Sequence, residues 1–450
     1  MQKISIKNFG PIKETELSVN DCLIFIGPQA SGKSTISKGI YFFKSLKDDL
    51  LKFITESVNN DIVSESELPT TAYKKKIRSK FVGFWGTTKH LNPFTIVFHY
   101  SDKKSIELSL RDGYVNANFS QEFHSELNEI FKQMSEYIKI NNKSNDFSGR
   151  SYDPLAASEQ RNFFKRIEFL TDSLFEDSHI PIYIPAGRSL LSILSEQLQK
   201  NLIGVISGRY SKESQDIDPY LLDLPLKAFI ERISNLKQSY RSDLNDMIND
   251  KKKFTSEKID FESVNKAKKI IEKVLRGRYL NDHLGERICL PDSQEYVKLS
   301  LASSGQQEAI WILLQIFAVI LGDYKVFLVI EEPEAHLYPE AQKDIVALIG
   351  LLSNLNNNQI LLTTHSPYIL SSLNNLIYAH KIGQSVPQKV EQRIDRKIWI
   401  SHSKVGAFFV DRGITQDIID KELNLIKAET IDNASKIIND EFDFLFDLED

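Results

Sequence analysis

The stretch CLIFIGPQASGKST, residues 22–35, joins an unbroken apolar run to a glycine-flanked loop. A run as short as CLIFI, bounded by such a loop, fits a strand buried on both faces. The loop satisfies G-x-x-x-x-G-K-[ST] through Gly27, Gly32, Lys33 and Ser34, and a helical pattern follows from about Lys33 to Val58. Strand, loop and helix in that order are what phosphate binding needs. Small residues let backbone N–H groups turn inward around a phosphate, and the helix dipole adds partial positive charge. Gly27, Pro28, Gln29, Ala30, Ser31, Gly32, Lys33, Ser34 and Thr35 are therefore the expected cradle for ATP. Lys33 would reach the β- and γ-phosphates, and the Ser34 hydroxyl would bind Mg2+.

Further along, VFLVIEEPEAHLYP (326–339) carries a second buried run that ends in Glu331 and Glu332 and is closed by Pro333. In open α/β sheets, ligands bind at the carboxyl ends of strands. Adjacent residues point to opposite sides, so the two acids can divide the chemistry. Glu331 would hold Mg2+ directly or through water, and Glu332 would orient and deprotonate the attacking water. Two solvated acids at a strand exit are the plain alternative, and the phosphate loop decides against it.

LASSGQQE (301–308) directly precedes the apolar helix that leads to this strand. Ser303, Ser304, Gly305 and Gln306 would form that helix's N-terminus, where hydroxyls and free N–H groups suit an anion. A simple cap, with Ser304 starting the helix and Glu308 near its first turn, competes with the phosphate reading. In QILLTTHSPY (359–368), Thr364 and His365 end another apolar strand, and His365 could sense a γ-phosphate by hydrogen bonding. His336 reads as structural, or as part of a dimer seam.

The rest of the chain sets these motifs in an α/β frame. QKISIKNF and TELSV read as strands, and TIVFHY with SIELSL as a hairpin. Residues 121–284 read as a mainly helical insertion, interrupted by IPIYIPA and containing no sustained heptads. SLLSILSEQL should start a helix, and LIYAH and KIWIS should be short strands. The expected organisation is an N-terminal lobe over 1–120, the insertion, a C-terminal lobe over 285–415 and acidic helices over 416–450. Hydrophobic residues at 41%, charged residues at 26% and a net charge of −5 suit an ordinary globular protein rather than a strongly basic nucleic-acid binder. The two cysteines, Cys22 and Cys289, have no metal-ligand spacing. With no secretory signal and no apolar run long enough to span a bilayer, the expectation is a cytoplasmic protein away from membranes.

GPQASGKST, LASSGQQE, VIEEPEAHLYP and LLTTHSP, in this order, resemble the ABC-type ATPase heads of the OLD and RecF class. These are often described as AAA-type ATPases of bacterial anti-phage systems. The resemblance covers about residues 1–50 and 285–380. It implies an ABC-type fold, a mixed sheet with flanking helices, in which two heads sandwich two ATP molecules. Each ATP would be held by one copy's phosphate loop and the partner copy's Ser303 and Gly305, with Glu332 as catalytic base. YIPAGRS (183–189) also resembles a segment of these ATPases, and Arg188 in it has either a functional or a structural role. The chain departs from the pattern at Gln29 and Ala30, where Asn and Gly are usual, and at Ser304, where Gly is usual. The residues after His365 hold no Glu plus Asp-x-Asp constellation of a TOPRIM nuclease. The expected function is thus an ATPase subunit of a defence system with its nuclease or effector on another polypeptide. Two alternatives stand beside it: a RecF-like repair ATPase touching DNA through YKKKIRSKF (73–81), and an ATP-binding scaffold with little turnover.

Overall fold

The computed structural model describes residues 1–60, 68–111, 113–145, 154–189, 191, 223–239, 243–254, 259–291, 293, 295–427 and 433–446. In chain order the N-terminal elements are β1 (Lys3–Phe9), β2 (Ile12–Ser18), β3 (Cys22–Ile26), α1 (Lys33–Asn60), α2 (Pro69–Trp85), β4 (Thr95–His99), β5 (Ser105–Arg111) and β6 (Tyr114–Phe119). Then come α3 (Gln121–Asn145), α4 (Pro154–Phe175), β7 (Ile180–Ile184), α5 (Leu224–Ser239), α6 (Leu244–Phe254), α7 (Phe261–Leu275), β8 (Arg278–Asp282), β9 (Gly285–Cys289) and β10 (Tyr296–Lys298). The C-terminal part holds α8 (Ser304–Gly322), β11 (Val326–Glu331), α9 (Pro339–Ser353), β12 (Gln359–Thr364), α10 (Pro367–Gly383), β13 (Val405–Asp411) and β14 (Ile414–Asp417). The expected helix at SLLSILSEQL lies almost wholly outside the described residues.

The chain divides into two compact units, one of 1–19, 35–181 and 412–414, the other of 20–34, 182–411 and 415–450. Residues 121–284 are thus shared between the units.

In the first unit, β2-β1-β4-β5-β6 form an antiparallel sheet, with Thr95 of β4 opposite Ser109 of β5 as the hairpin reading expects. Burial alternates along β4, where Ile96 and Phe98 are enclosed, because an antiparallel sheet need cover only one face. Phe9, Phe42, Phe81 and Trp85 pack ring on ring over that face. Edge-to-face and tilted ring pairs of this kind add to the burial they already provide.

In the second unit the sheet order is β14-β13-β3-β12-β11-β7. β13, β3, β12 and β11 run parallel, so their carboxyl ends open on one side of the sheet. CLIFI and VFLVIE are buried at every position, which is why they read as continuous apolar runs. Burial pushes the Cys22 thiol up to about 12, which leaves it protonated and inert inside this core. Helix α8 is apolar and long enough to cross a membrane, yet 83% of its apolar window is enclosed by the fold, as in a core helix.

Two expected strands are absent. LIYAH lies inside α10, where Leu370, Leu373, Leu376 and Ile377 recur at helical spacing and are buried. KIWIS begins in a single 3-10 turn, Arg396–Ile398, held by the Asp395 side chain accepting from the Lys397 N–H. The strand of this region is β13, VGAFFVD, which pairs with the strand before the phosphate loop. Past it, the segment expected to be helical throughout first forms β14 and a short pair, Ile419–Asp420 with Leu425–Ile426, before a helix over Asn433–Phe446.

Candidate active site

The phosphate loop leaves β3 and enters α1. Its first glycine is there for space: a Cβ on Gly27 would sit 2.1 Å from the Val410 carbonyl oxygen on the neighbouring strand. Gly32 takes φ 110 and Ala30 takes φ 59. The second is a left-handed conformation that costs an L-residue about 1–2 kcal/mol. Pro28, Gln29, Ala30 and Ser34 are exposed, while Ser31, Gly32 and Lys33 are buried. The Lys33 ammonium turns back on the loop, donating to the carbonyls of Gly27 at 2.9 Å and Pro28 at 2.8 Å. Burial lowers the Lys33 pKa, and the negative charges of Glu332, Glu334 and Glu331 act in the opposite sense. The lysine therefore already lies within the field of the carboxylates.

Those carboxylates leave β11, and β12 lies between β11 and β3. The parallel register sets Glu331 beside Thr363 and Thr364 beside Ile26. Lys33, Glu331, Glu332 and His365 thus gather at one end of three neighbouring strands, as their sequence positions imply. Glu331 is buried; one oxygen accepts from the Ala186 N–H at 3.4 Å and the other, Oε1, has no partner. Glu332 is half-exposed, and its Oε1 lies 3.4 Å from His365 Nε2. The Glu332 backbone is left-handed, φ 45, a strained geometry for a residue that carries a Cβ.

Three further residues organise this end of the sheet. Glu334 Oε1 accepts from the Thr364 hydroxyl at 2.8 Å and from the His365 N–H at 2.7 Å, which fixes the histidine's backbone. Its second oxygen, Oε2, is buried without a partner, and burial raises the Glu334 pKa. Arg188, 1% exposed, donates to the carbonyls of Pro185, Glu331 and Glu332 and pairs with Glu308 of α8. Glu308, expected near a helix cap, instead accepts from the N–H groups of Arg188 and Ser189. Of the acids in the motif EEPEAH, the sequence points only to Glu331 and Glu332, and Glu334 is missed. The role of Arg188 lay open in the sequence because its partners are remote along the chain.

Ser303–Gln306 sit elsewhere on the second unit. Ser303, not Ser304, is the N-cap of α8; it forms a capping box with Gln306, whose amide also donates to the Leu275 carbonyl. A Cβ on Gly305 would lie 2.6 Å from the His336 carbonyl oxygen, so packing alone requires a glycine here. The segment borders a cavity of about 680 Å3 lined by Lys273, Arg276, Ser303, Gly305, His336 and Tyr338 among others, and by no residue of the phosphate loop. Neither Glu331 nor Glu332 lines that cavity. Among the described residues, no group of three or more His, Cys, Asp or Glu is arranged to hold a metal without help from a ligand.

Of the basic stretch YKKKIRSKF, in the first unit, Lys76 pairs with Glu56 at 2.8 Å, Lys80 pairs with Asp49, and Lys74 lies over the Phe119 ring. Arg78 is exposed.

Among solved structures the chain is similar to an Smc head domain with an extended coiled coil, bound to the C-terminal domain of ScpA, from Pyrococcus furiosus (13% identity, 98% of this chain and 99% of that chain, TM-score 0.38). It is also similar to the SMC head domain from Thermotoga maritima (11%, 92% and 97%, TM-score 0.34). A third is the recombination mediator protein RecF of the RecFOR pathway (12%, 92% and 97%, TM-score 0.32). At these scores the likeness adds nothing to the geometry above. The comparison with curated proteins found no match. Residues 1–370 match the family model described as an AAA ATPase domain. That match spans most of the chain, joins the phosphate loop to the carboxylates, and places this protein in the AAA ATPase domain family: it is an ATPase.

Proposed function

We propose that this chain is an ABC-type head that hydrolyses ATP between two copies of itself and serves as the sensor or regulator subunit of an anti-phage defence system, acting on a separate effector. The observation that carries the chemistry is the meeting of Lys33, Glu332 and His365 at the carboxyl ends of adjacent parallel strands. On binding ATP, the N–H groups of the loop cradle the β-phosphate, and Lys33 exchanges the carbonyls of Gly27 and Pro28 for β- and γ-oxygens. Glu332 orients a water and takes its proton as the water oxygen attacks the γ-phosphorus. The bond to the β–γ bridging oxygen breaks, leaving ADP and phosphate. His365 donates to a γ-oxygen.

The unpartnered Glu331 Oε1, a buried carboxylate oxygen beside the loop, fits a hard cation. Ser34 and Glu331 would hold Mg2+, which when bound neutralises phosphate charge. The second copy supplies Ser303 and Gly305, which lie beside its cavity. The defence role rests on the resemblance of the four motifs to OLD-class heads. The competing reading, direct DNA binding through YKKKIRSKF, is weakened because Lys74, Lys76 and Lys80 already have partners.

The test holds the chain in its ATP state. Tagged Glu332→Gln protein is purified from its own host and what accompanies it is identified. A nuclease, toxin or reverse transcriptase in stoichiometric amount supports the defence reading. DNA and no other protein would overturn it in favour of repair.

A further inference from the structure

We infer that Arg188 is a positioning residue that holds the Glu332 backbone in its reactive geometry and ties it to the helix start that receives the second copy's nucleotide. The inference rests on the base assignment proposed for Glu332.

Glu332 occupies a left-handed conformation that its side chain disfavours, so the surroundings must hold it there. Its N–H donates to the Thr363 carbonyl at 2.9 Å, which fixes it to β12. Its carbonyl accepts from Arg188 Nη2 at 3.0 Å, and the carbonyl of Glu331 accepts from Arg188 Nη1 at 2.6 Å. The same guanidinium reaches α8, where Nε donates to the Glu308 carbonyl at 3.2 Å and lies 3.3 Å from its carboxylate. Glu308 is itself anchored at both oxygens, by the N–H groups of Arg188 and Ser189. A single buried side chain therefore spans the carboxylate turn and α8.

Glu308 lies five residues after Ser303, a rise of about 7.5 Å along the helix axis. A displacement of the helix start on docking of the second copy reaches Glu332 through the Arg188 guanidinium, which makes charge-assisted contacts to the carbonyls of both Glu308 and Glu332. Only a planar fork with several fixed donors can serve these acceptors together. A lysine would keep the charge opposite Glu308 but offers one ammonium on a flexible stem.

The experiment uses the full chain carrying Arg188→Lys. Three quantities are read: kcat and KM for ATP, the Kd of a fluorescent ATP analogue, and the melting temperature. A positioning role predicts a folded protein with Kd and KM within about twofold of wild type and kcat lowered at least about 30-fold, since the loop is intact and the base misplaced. A kcat within about twofold of wild type overturns it. Where Arg188→Lys fails to fold, Arg188→Met with Glu308→Met replaces the buried pair by apolar volume. Recovery of the fold with kcat still low supports the role, and recovery of kcat together with the fold overturns it. Glu332→Gln is assayed in parallel. Wild-type turnover in that variant removes the base beneath the inference, whereas a dead Glu332→Gln beside a normal Arg188→Lys removes the inference alone.

Discussion

Each unit buries a cluster of charges, and the two clusters are finished differently. In the first unit, Lys44 and Asp177 pair at 2.6 Å with side chains 1% and 7% exposed, and the other Asp177 oxygen lies 2.6 Å from His179 Nδ1. Burial alone would raise the Asp177 pKa, but the Lys44 charge and the His179 contact outweigh it and hold the carboxyl far below its usual range. In the second unit, Glu331 and Glu334 each keep a buried oxygen with no partner. Leaving a buried polar atom unpaired is costly. The first cluster is complete and holds the fold. The second keeps two unpaired oxygens at the carboxyl end of the sheet, beside the groups proposed to act on ATP.

This contrast can be broken by experiment. The largest effect is on turnover: Glu332→Gln should lower steady-state phosphate release by about 10^3-fold while leaving nucleotide binding in place, because only the proton acceptor is lost. Next is Asp177→Asn, which strands Lys44 in the first unit's core and should cost about 3 kcal/mol in chemical denaturation. The pH dependence follows from the sign of the shift. A carboxyl with a depressed folded pKa contributes stability that is fully present above its unfolded pKa, and loses it as pH falls towards the folded value. Stability from Asp177 is therefore complete above about pH 5 and declines steadily below about pH 4, and Asp177→Asn should flatten that acid limb.

Glu331→Gln should act in the opposite direction. Without ligand it removes a buried, half-satisfied charge and should stabilise the chain by about 1 kcal/mol, while abolishing phosphate release that depends on Mg2+. A loss of stability equal to that of Asp177→Asn would make the two clusters alike and remove the distinction. The smallest effect is Ala30→Gly. Relief of the left-handed strain is largely offset by the added freedom of glycine in the unfolded chain, leaving a gain of about 0.5 kcal/mol by thermal melting.

Much of this site could be read from the sequence because it lies on strands buried on both faces. CLIFI and VFLVI are apolar throughout and QILLTT has an apolar centre, and each runs into its functional residues without a break, so run and motif reinforce one another. VGAFFVD escaped notice although it flanks the phosphate-loop strand. It lies beyond LIYAH and KIWIS, whose short apolar character looks like strand until the helix and turn that hold them are seen. Arg188 and Glu334 mark a different limit. Arg188 acts on carbonyls more than 140 residues away in the chain, and no periodicity or local spacing encodes a contact made only when two strands become neighbours. LASSGQQE shows a third. One octapeptide suits both a capping box and a phosphate grip; the capping box is formed in the single chain, and the grip, as proposed, depends on another copy.

That dependence makes the association of Glu332→Gln the measurement closest to the central claim. Light scattering of the purified variant at saturating ATP and Mg2+ should report twice the 51.6 kDa of one chain, reverting to the single-chain mass when nucleotide is removed. A mass of one chain under saturating nucleotide would contradict the shared site, and with it the proposal that ATP is hydrolysed between two copies.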